Sequence, residues 1–268
     1  MTPGLESLGA FPIVLGVLLV SMAVYAVRGP REDADQKAKS GQFFLGAGDF
    51  LLHWFMWVVD PLTRLSIRLG LTPDFYNYAG LVLGLGSGFF IASGRIEAGG
   101  WAIALCGVAD ILDGRIARAL GVASDFGDFI DSTFDRYVEI AAFLGFLTLL
   151  SDHPGGPFLA AFAMAGSLAV SYTRARGEAL GVMCTGGLMQ RGERLVLTCL
   201  ACLTDRGLNR SFGWPRHTVI VWTLGLIGVF TLLTTIHRTV WIAQRLKEEA
   251  LSRRSPRAAA SIRLPARA

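Results

Sequence analysis

The sequence predicts an all-α, polytopic membrane protein, and three observations carry that expectation. Of 268 residues, 52% are hydrophobic and only 17% charged, with a mean hydropathy of +0.48, a balance suited to a chain solvated largely by lipid. Apolar runs recur near the length of about 20 residues that crosses a hydrocarbon layer as a helix. Between them lie short segments rich in Gly, Pro and Arg, so the chain has room for six or seven spans and no separate soluble domain.

The first run, Phe11 to Val27, spans marginally and lacks the basic leader of a signal peptide. Arg28, Arg31, Lys37 and Lys39 follow it, which sets its N-terminus outside and makes Arg28 to Gln42 a cytoplasmic linker. From Phe50 to Leu71, Asp60, Arg64 and Arg68 recur every four residues and form one polar stripe on an otherwise aromatic and aliphatic helix. An interfacial amphipathic helix on the cytoplasmic leaflet fits that pattern, ending where Thr72-Pro73 starts the next helix. Spans follow over Phe75–Ser93, Ala98–Leu120 and Phe126–Leu150, the last two joined by the short link Gly121–Asp125 and hence antiparallel neighbours. After the breaker-rich turn Ser151–Pro157, a span over Phe158–Tyr172 leads into a polar segment, Thr173 to Arg194. Leu195 to Leu203 reads as a short span reaching back through Arg191–Arg194, Asp205 to Arg216 as an external loop, and His217 to about Ile242 as the final span. The basic tail beyond Arg245 reads as disordered and drawn to anionic lipid.

Cations set the orientation. The side with Arg174, Arg176, Arg191, Arg194 and the C-terminal Arg/Lys set is far more basic than the side with Arg95, Arg206, Arg210 and Arg216, so it faces the cytoplasm. The four cysteines lie in or beside apolar segments. Cys199-x2-Cys202 has no second pair to complete a metal site and reads as buried packing.

Four carboxylates stand inside the membrane-like sequence: Asp110 and Asp113 on one predicted helix, Asp131 and Asp135 on the next. Spacings of three and four place each pair on one helix face, and the facing helices bring all four together. Carboxylates at membrane depth need compensation, and an all-oxygen set suits a hard divalent cation, Mg²⁺ or Mn²⁺, better than zinc. Gly114, Ala117 and Gly127 lie on or near the same faces; small residues alone suit close helix packing, but beside four Asp and an Arg the better reading is room for a bound substrate. Arg118 suits a phosphate oxygen through its planar fork of donors. Arg115 is expected to pair with a nearby acid such as Asp125 or Asp128, with a phosphate contact as its alternative. A second polar cluster follows, with Arg174, Arg176, Arg191 and Arg194 beside Glu178 and Glu193. Fixed guanidinium groups suit a phosphate monoester; a purely topological role is the alternative.

The run Asp110-x2-Asp113-Gly114-x2-Ala117-Arg118-x8-Gly127-x3-Asp131-x3-Asp135 resembles the signature of the CDP-alcohol phosphotransferases, with all eight positions matched. The resemblance covers roughly residues 50 to 245. It implies a six-helix phosphotransferase bundle with its amphipathic helix (49–245); the N-terminal span with its cytoplasmic linker (1–48) and the basic tail (246–268) lie outside it. It also implies transfer of the phosphatidyl group from CDP-diacylglycerol to a polar alcohol with release of CMP. Two Mg²⁺ ions would be held by Asp110, Asp113, Asp131 and Asp135, with Asp135 also the general base. Asp110, Gly114, Ala117, Arg118 and Gly127 would contact the CDP part. The pieces from Ser171 to Glu178 and from Gly186 to Arg194 are similar to the phosphatidylinositol-phosphate synthases of this family, which implies inositol phosphate as acceptor. Its phosphate would be held by Arg118, Arg176, Arg191 and Arg194. Gly192, Cys184-Thr185 and Asp74 depart from that pattern, which bears on the acceptor rather than on the reaction class. Glycerol 3-phosphate and unphosphorylated alcohols such as inositol or serine are the alternative acceptors. A homodimer in a bacterial or archaeal plasma membrane is implied, with no nucleic-acid partner. An ion-coupled transporter is the competing reading from another class, since intramembrane acids often mark ion paths.

Overall fold

A computed structural model describes residues 11–28, 48–184 and 186–261, and among these every regular element is a helix. In order they are α1 (Phe11–Arg28), α2 (Gly48–Arg68), α3 (Pro73–Ala92), α4 (Ile96–Leu120), α5 (Asp125–Leu149), α6 (Gly156–Ala179), α7 (Arg191–Phe212) and α8 (Thr218–Ser261). The expected cytoplasmic linker lies mostly outside the described residues. Three helices are long and apolar enough to cross a membrane by composition alone: Pro73–Ala92, Gly156–Ala179 and the Thr218–Leu251 part of α8. The protein is an integral membrane protein, and α4, α5 and α7 carry among their charges those of the site described below.

Local chemistry ends and starts the helices where the sequence indicates. Thr72 Oγ1 accepts from Phe75 N at 3.3 Å and Pro73 opens α3, since a proline needs no hydrogen-bond partner for its nitrogen in the first turn. Gly121, left-handed at φ 67°, ends α4 with paired bonds from its own N to Arg118 O and from Val122 N to Ala117 O. Ser124 then caps α5 by accepting from Gly127 N at 3.2 Å. Four residues therefore turn the chain between the two acid-bearing helices.

Helix neighbours follow a closed circuit, α4–α3–α5–α6–α8–α7 and back to α4. Inside it, Ile91, Phe143, Phe146, Ala201, Leu224 and Ile227 form an apolar core toward the C-terminal end of α5 and the N-terminal end of α8. There α3 and α5 touch through backbone: a Cβ on Gly145 would stand 2.6 Å from Gly88 O, so only glycine permits this approach. The acids lie at the other end of the same circuit, on the last turns of α4 and the first turns of α5.

Outside the circuit, α2 packs on α4, with Val59 against Leu112 and Ile116. Trp54 Nε1 donates to Ser21 Oγ at 3.0 Å and ties α1 to α2. Arg115 does not pair with Asp125 or Asp128. Its Nη2 donates to Asp60 Oδ1 at 2.9 Å and its Nη1 to Met56 O at 2.7 Å, because its helix face looks out toward α2 rather than along the α4–α5 link.

Three boundaries differ from expectation. The helix α6 carries Arg174 and Arg176 on to Ala179, so the polar segment begins as helix. The expected loop from Asp205 is helix as far as Phe212. Asp205 and Asn209, one turn apart, bond to each other inside the bundle, so their polarity does not require solvent. The helix α8 runs past Ile242 to Ser261, so residues 246–261, expected to be disordered, continue it as helix.

Candidate metal and substrate site

On α4 and α5 the acids meet as the spacing requires. One carboxylate oxygen each from Asp110, Asp113 and Asp131 lies within 4.8 Å of the other two. Oxygens bound to one hard cation at about 2.0–2.6 Å stand at most about 4–5 Å apart, so these three fit a single divalent ion. Asp113 and Asp135 are buried, and several carboxylates so placed repel one another unless positive charge joins them. Asp135 stands apart from the group of three and ion-pairs with Arg191 Nη2. The other arm of that guanidinium, Nη1, donates to Asp110 Oδ1 at 2.8 Å, so Arg191 bridges the two acid-bearing helices.

Around the acids the small residues keep the rim open. Gly114, Ala117 and Gly127 are half-buried, and Arg118 is exposed. A Cβ on Gly114 would come 3.3 Å from Arg118 Nη1, so the guanidinium folds back over that glycine toward the acid end of α4. The Gly127 amide is engaged by Ser124 as part of the α5 cap.

The second polar cluster divides. Arg191 begins α7, whose first turn is fixed by a capping box in which Gln190 N donates to Glu193 Oε2 at 2.8 Å. Arg194, only 3% exposed, donates from Nε to Glu139 Oε1 at 2.7 Å and from Nη1 to Met189 O at 3.0 Å. Arg176 is exposed near the end of α6, where Arg174 and Glu178 pair at 2.8 Å. Of the four arginines expected at the acceptor, the structure thus brings Arg191 to the acids and sets Arg118 at their rim. Arg194 sits behind Arg191, and Arg176 is on the surface.

Sequence reasoning missed three side chains. Glu139 continues the four-residue spacing of Asp131 and Asp135 by one more turn, and that spacing was its available signal. Arg136 Nη1 donates to Glu139 Oε2 at 2.8 Å and also reaches Ser171 Oγ, joining α5 to α6. Arg238, 2% exposed within the last apolar run, donates to Gly186 O at 2.9 Å and Val170 O at 3.0 Å. With Thr234, whose Oγ1 accepts from Leu188 N at 3.2 Å, it holds the segment that leads into Arg191. Gly187 lies at φ 142° with Thr234 against it, and a side chain fits neither that backbone nor that space.

Behind Asp135 and Arg191 lies a cavity of about 50 Å³, also lined by Glu139, Arg194, Thr198 and apolar residues such as Ile103 and Phe146. It has room for a few waters. That is well short of the roughly 300 Å³ or more that a small-molecule substrate needs.

Residues 71–184 match the sequence model of the CDP-alcohol phosphatidyltransferases. The phosphatidylinositol phosphate synthase of Streptomyces avermitilis is 34% identical over 203 residues, 73% of this chain and 82% of that protein. The synthase of the same name from Mycobacteroides abscessus is 31% identical over 68% of this chain and 84% of its own length. Archaetidylinositol phosphate synthase of Methanothermobacter thermautotrophicus is 31% identical over 70% and 90%. Among solved structures, Mycobacterium tuberculosis phosphatidylinositol phosphate synthase in complex with manganese and citrate superposes with a TM-score of 0.59 at 28% identity, covering 68% of this chain and 87% of that one. The same enzyme with CDP-DAG bound gives the same TM-score over 92% of its length. Matched in its acidic signature, its helical bundle and most of the length of these relatives, the chain belongs to the CDP-alcohol phosphatidyltransferase family.

Proposed function

We propose that this protein makes a phosphorylated inositol lipid, transferring the phosphatidyl group of CDP-diacylglycerol to inositol phosphate and releasing CMP. The observation that carries this reading is the group of three carboxylates within 4.8 Å, with Arg191 bridging beside it at the open end of the bundle. Its support from relatives is that those named above are inositol phosphate lipid synthases, one of them solved with CDP-DAG.

Asp110, Asp113 and Asp131 would hold a divalent cation, Mg²⁺ or Mn²⁺, and Asp135 would share a second one loosely enough to act as general base. A divalent cation bound there would supply charge neutralisation for the pyrophosphate and for the attacking and leaving oxygens. Gly114, Ala117 and Gly127 leave the cytidine part its space, and Arg118 meets the phosphates from the rim. The acceptor oxygen forms a bond to the phosphorus bearing diacylglycerol, while the bond from that phosphorus to the CMP oxygen breaks. CMP leaves with the bonding electron pair, and the acceptor's proton passes to Asp135. Arg191, with Arg118 and Arg176, orients the acceptor's own phosphate, and Arg194 supports Arg191 from behind. Positioning and electrostatics therefore supply most of the acceleration.

The basic residues at this end, from Arg174 to Arg194, support an active site that faces the cytoplasm, and bacterial and archaeal relatives support a plasma membrane of that kind of cell. A homodimer belongs to the same proposal. An acceptor panel with radiolabelled CDP-diacylglycerol and thin-layer identification of the product tests it. Inositol phosphate is expected to give the labelled lipid. Product from glycerol 3-phosphate, serine or free inositol alone would contradict the assignment.

A further inference from the structure

We infer that Glu139 is a positioning residue for the acceptor phosphate, acting through the first turn of α7. It lies one turn beyond Asp135 on the same face of α5, with its side chain 12% exposed. Each of its oxygens is used by a different arginine: Oε1 accepts from Arg194 Nε at 2.7 Å, and Oε2 from Arg136 Nη1 at 2.8 Å. Those arginines reach two further elements. Arg136 bonds Ser171 on α6, and Arg194 donates to Met189 O in the segment entering α7. One carboxylate thereby locks α5, α6 and α7 together just below the acids.

What this lock sets is the place of Arg191, three residues before Arg194 on the same turn of α7. Arg191 must stand between Asp110 and Asp135, and a guanidinium on a long flexible stem stays there only if its backbone is fixed. The capping box fixes the turn internally; the Arg194–Glu139 bond fixes it against α5. Arg194 Nη2 is buried without a hydrogen-bond partner, and its residue lines the small cavity shared with Asp135, Glu139 and Arg191. The Glu139 carboxylate compensates the charge of this buried arginine. Polar networks of this kind act as a unit, so loosening one member moves the others.

The inference rests on the proposed acceptor reading, and the test separates the two. Purified Glu139→Gln protein is assayed with inositol phosphate and CDP-diacylglycerol at saturating Mg²⁺. Glutamine keeps an oxygen for Arg194 and loses the charge shared with Arg136, so the fold is expected to survive. The expected result is a KM for inositol phosphate raised about tenfold, with the KM for CDP-diacylglycerol within twofold of wild type. Glu139→Asp, which keeps the charge on a shorter arm, is expected to fall between the two and carries the same test should the glutamine variant not fold. An unchanged acceptor KM in a folded variant, or both KM values rising together, overturns the positioning role and leaves Glu139 a packing element. Failure of wild-type protein to use inositol phosphate at all counts against the functional reading. In that event the inference is judged with glycerol 3-phosphate as acceptor: a KM for it raised in Glu139→Gln supports the positioning role, and an unchanged KM, or turnover of unphosphorylated alcohols alone, overturns it.

Discussion

Buried carboxylates occur at both ends of this helix bundle, and their surroundings differ in one decisive respect. At the end where α7 meets α8, Asp205 is 3% exposed and well supplied with partners. Its Oδ1 accepts from Asn209 Nδ2 at 2.9 Å and from Ile220 N at 3.3 Å, and His217 Nδ1 lies 3.4 Å from Oδ2. It caps the start of α8 and closes the turn from α7, and nothing about it asks for a ligand. At the other end, three carboxylates crowd within 4.8 Å of one another and a fourth leans on Arg191, which it shares with Asp110. A carboxylate matched to donors is architecture, whereas acids in excess of their donors make a site for a cation.

Substitutions sharpen the contrast, beginning with the acids themselves. Asp113→Asn and Asp131→Asn, each keeping the shape and losing the charge, are expected to cut CMP release at least ~10²–10³-fold, the scale on which a lost transition-state electrostatic partner is felt. Relief of like-charge repulsion should leave the metal-free protein as heat-stable as wild type, so Tm and turnover are to be measured together. Asp205→Ala should do the reverse. It leaves buried donors unpaired and is expected to cost about 2–4 kcal/mol in unfolding free energy, with turnover of the folded fraction unchanged. If Asp205→Ala abolished activity without loss of stability, the distinction between the two ends would fail.

Arg191→Ala comes next. It removes charge-assisted bonds worth about 1.5–3 kcal/mol, so a rise of roughly ten- to a hundredfold in acceptor KM is expected, with the CDP-diacylglycerol KM nearly constant. Steady-state titration of each substrate checks it. The smallest effect is expected from Asp60→Asn, where the lost partner of Arg115 is a half-exposed pair far simpler than the acid group. A change below about 1 kcal/mol in stability and less than threefold in activity is the expected outcome.

Much of this organisation was legible beforehand, for reasons that particular residues make plain. Asp110, Asp113, Asp131 and Asp135 were legible because helical spacing sets each pair on one face, and the short link from Gly121 to Asp125 makes the two helices antiparallel neighbours. Partners chosen across helices were not legible. Arg115 goes to Asp60, 55 residues away, and not to the acids near it in sequence. Asp205 and Asn209 read as loop because polar residues in an apolar context suggest solvent unless their mutual bond is known. Arg238 was passed over for the complementary reason. A lone arginine in a hydrophobic run shows nothing of the two carbonyls, Gly186 O and Val170 O, that accept from it.

The claim at the centre of this account is that the acid end is a metal-dependent transferase site. Release of CMP from CDP-diacylglycerol by the detergent-purified protein, followed with inositol phosphate present across a titration of Mg²⁺ and then EDTA, tests it most directly. The account predicts CMP formation that needs both the acceptor and the divalent ion, stops on chelation and returns when Mg²⁺ or Mn²⁺ is added back. CMP release undiminished in EDTA would contradict it, as would ion flux in liposomes from a protein that turns over no lipid.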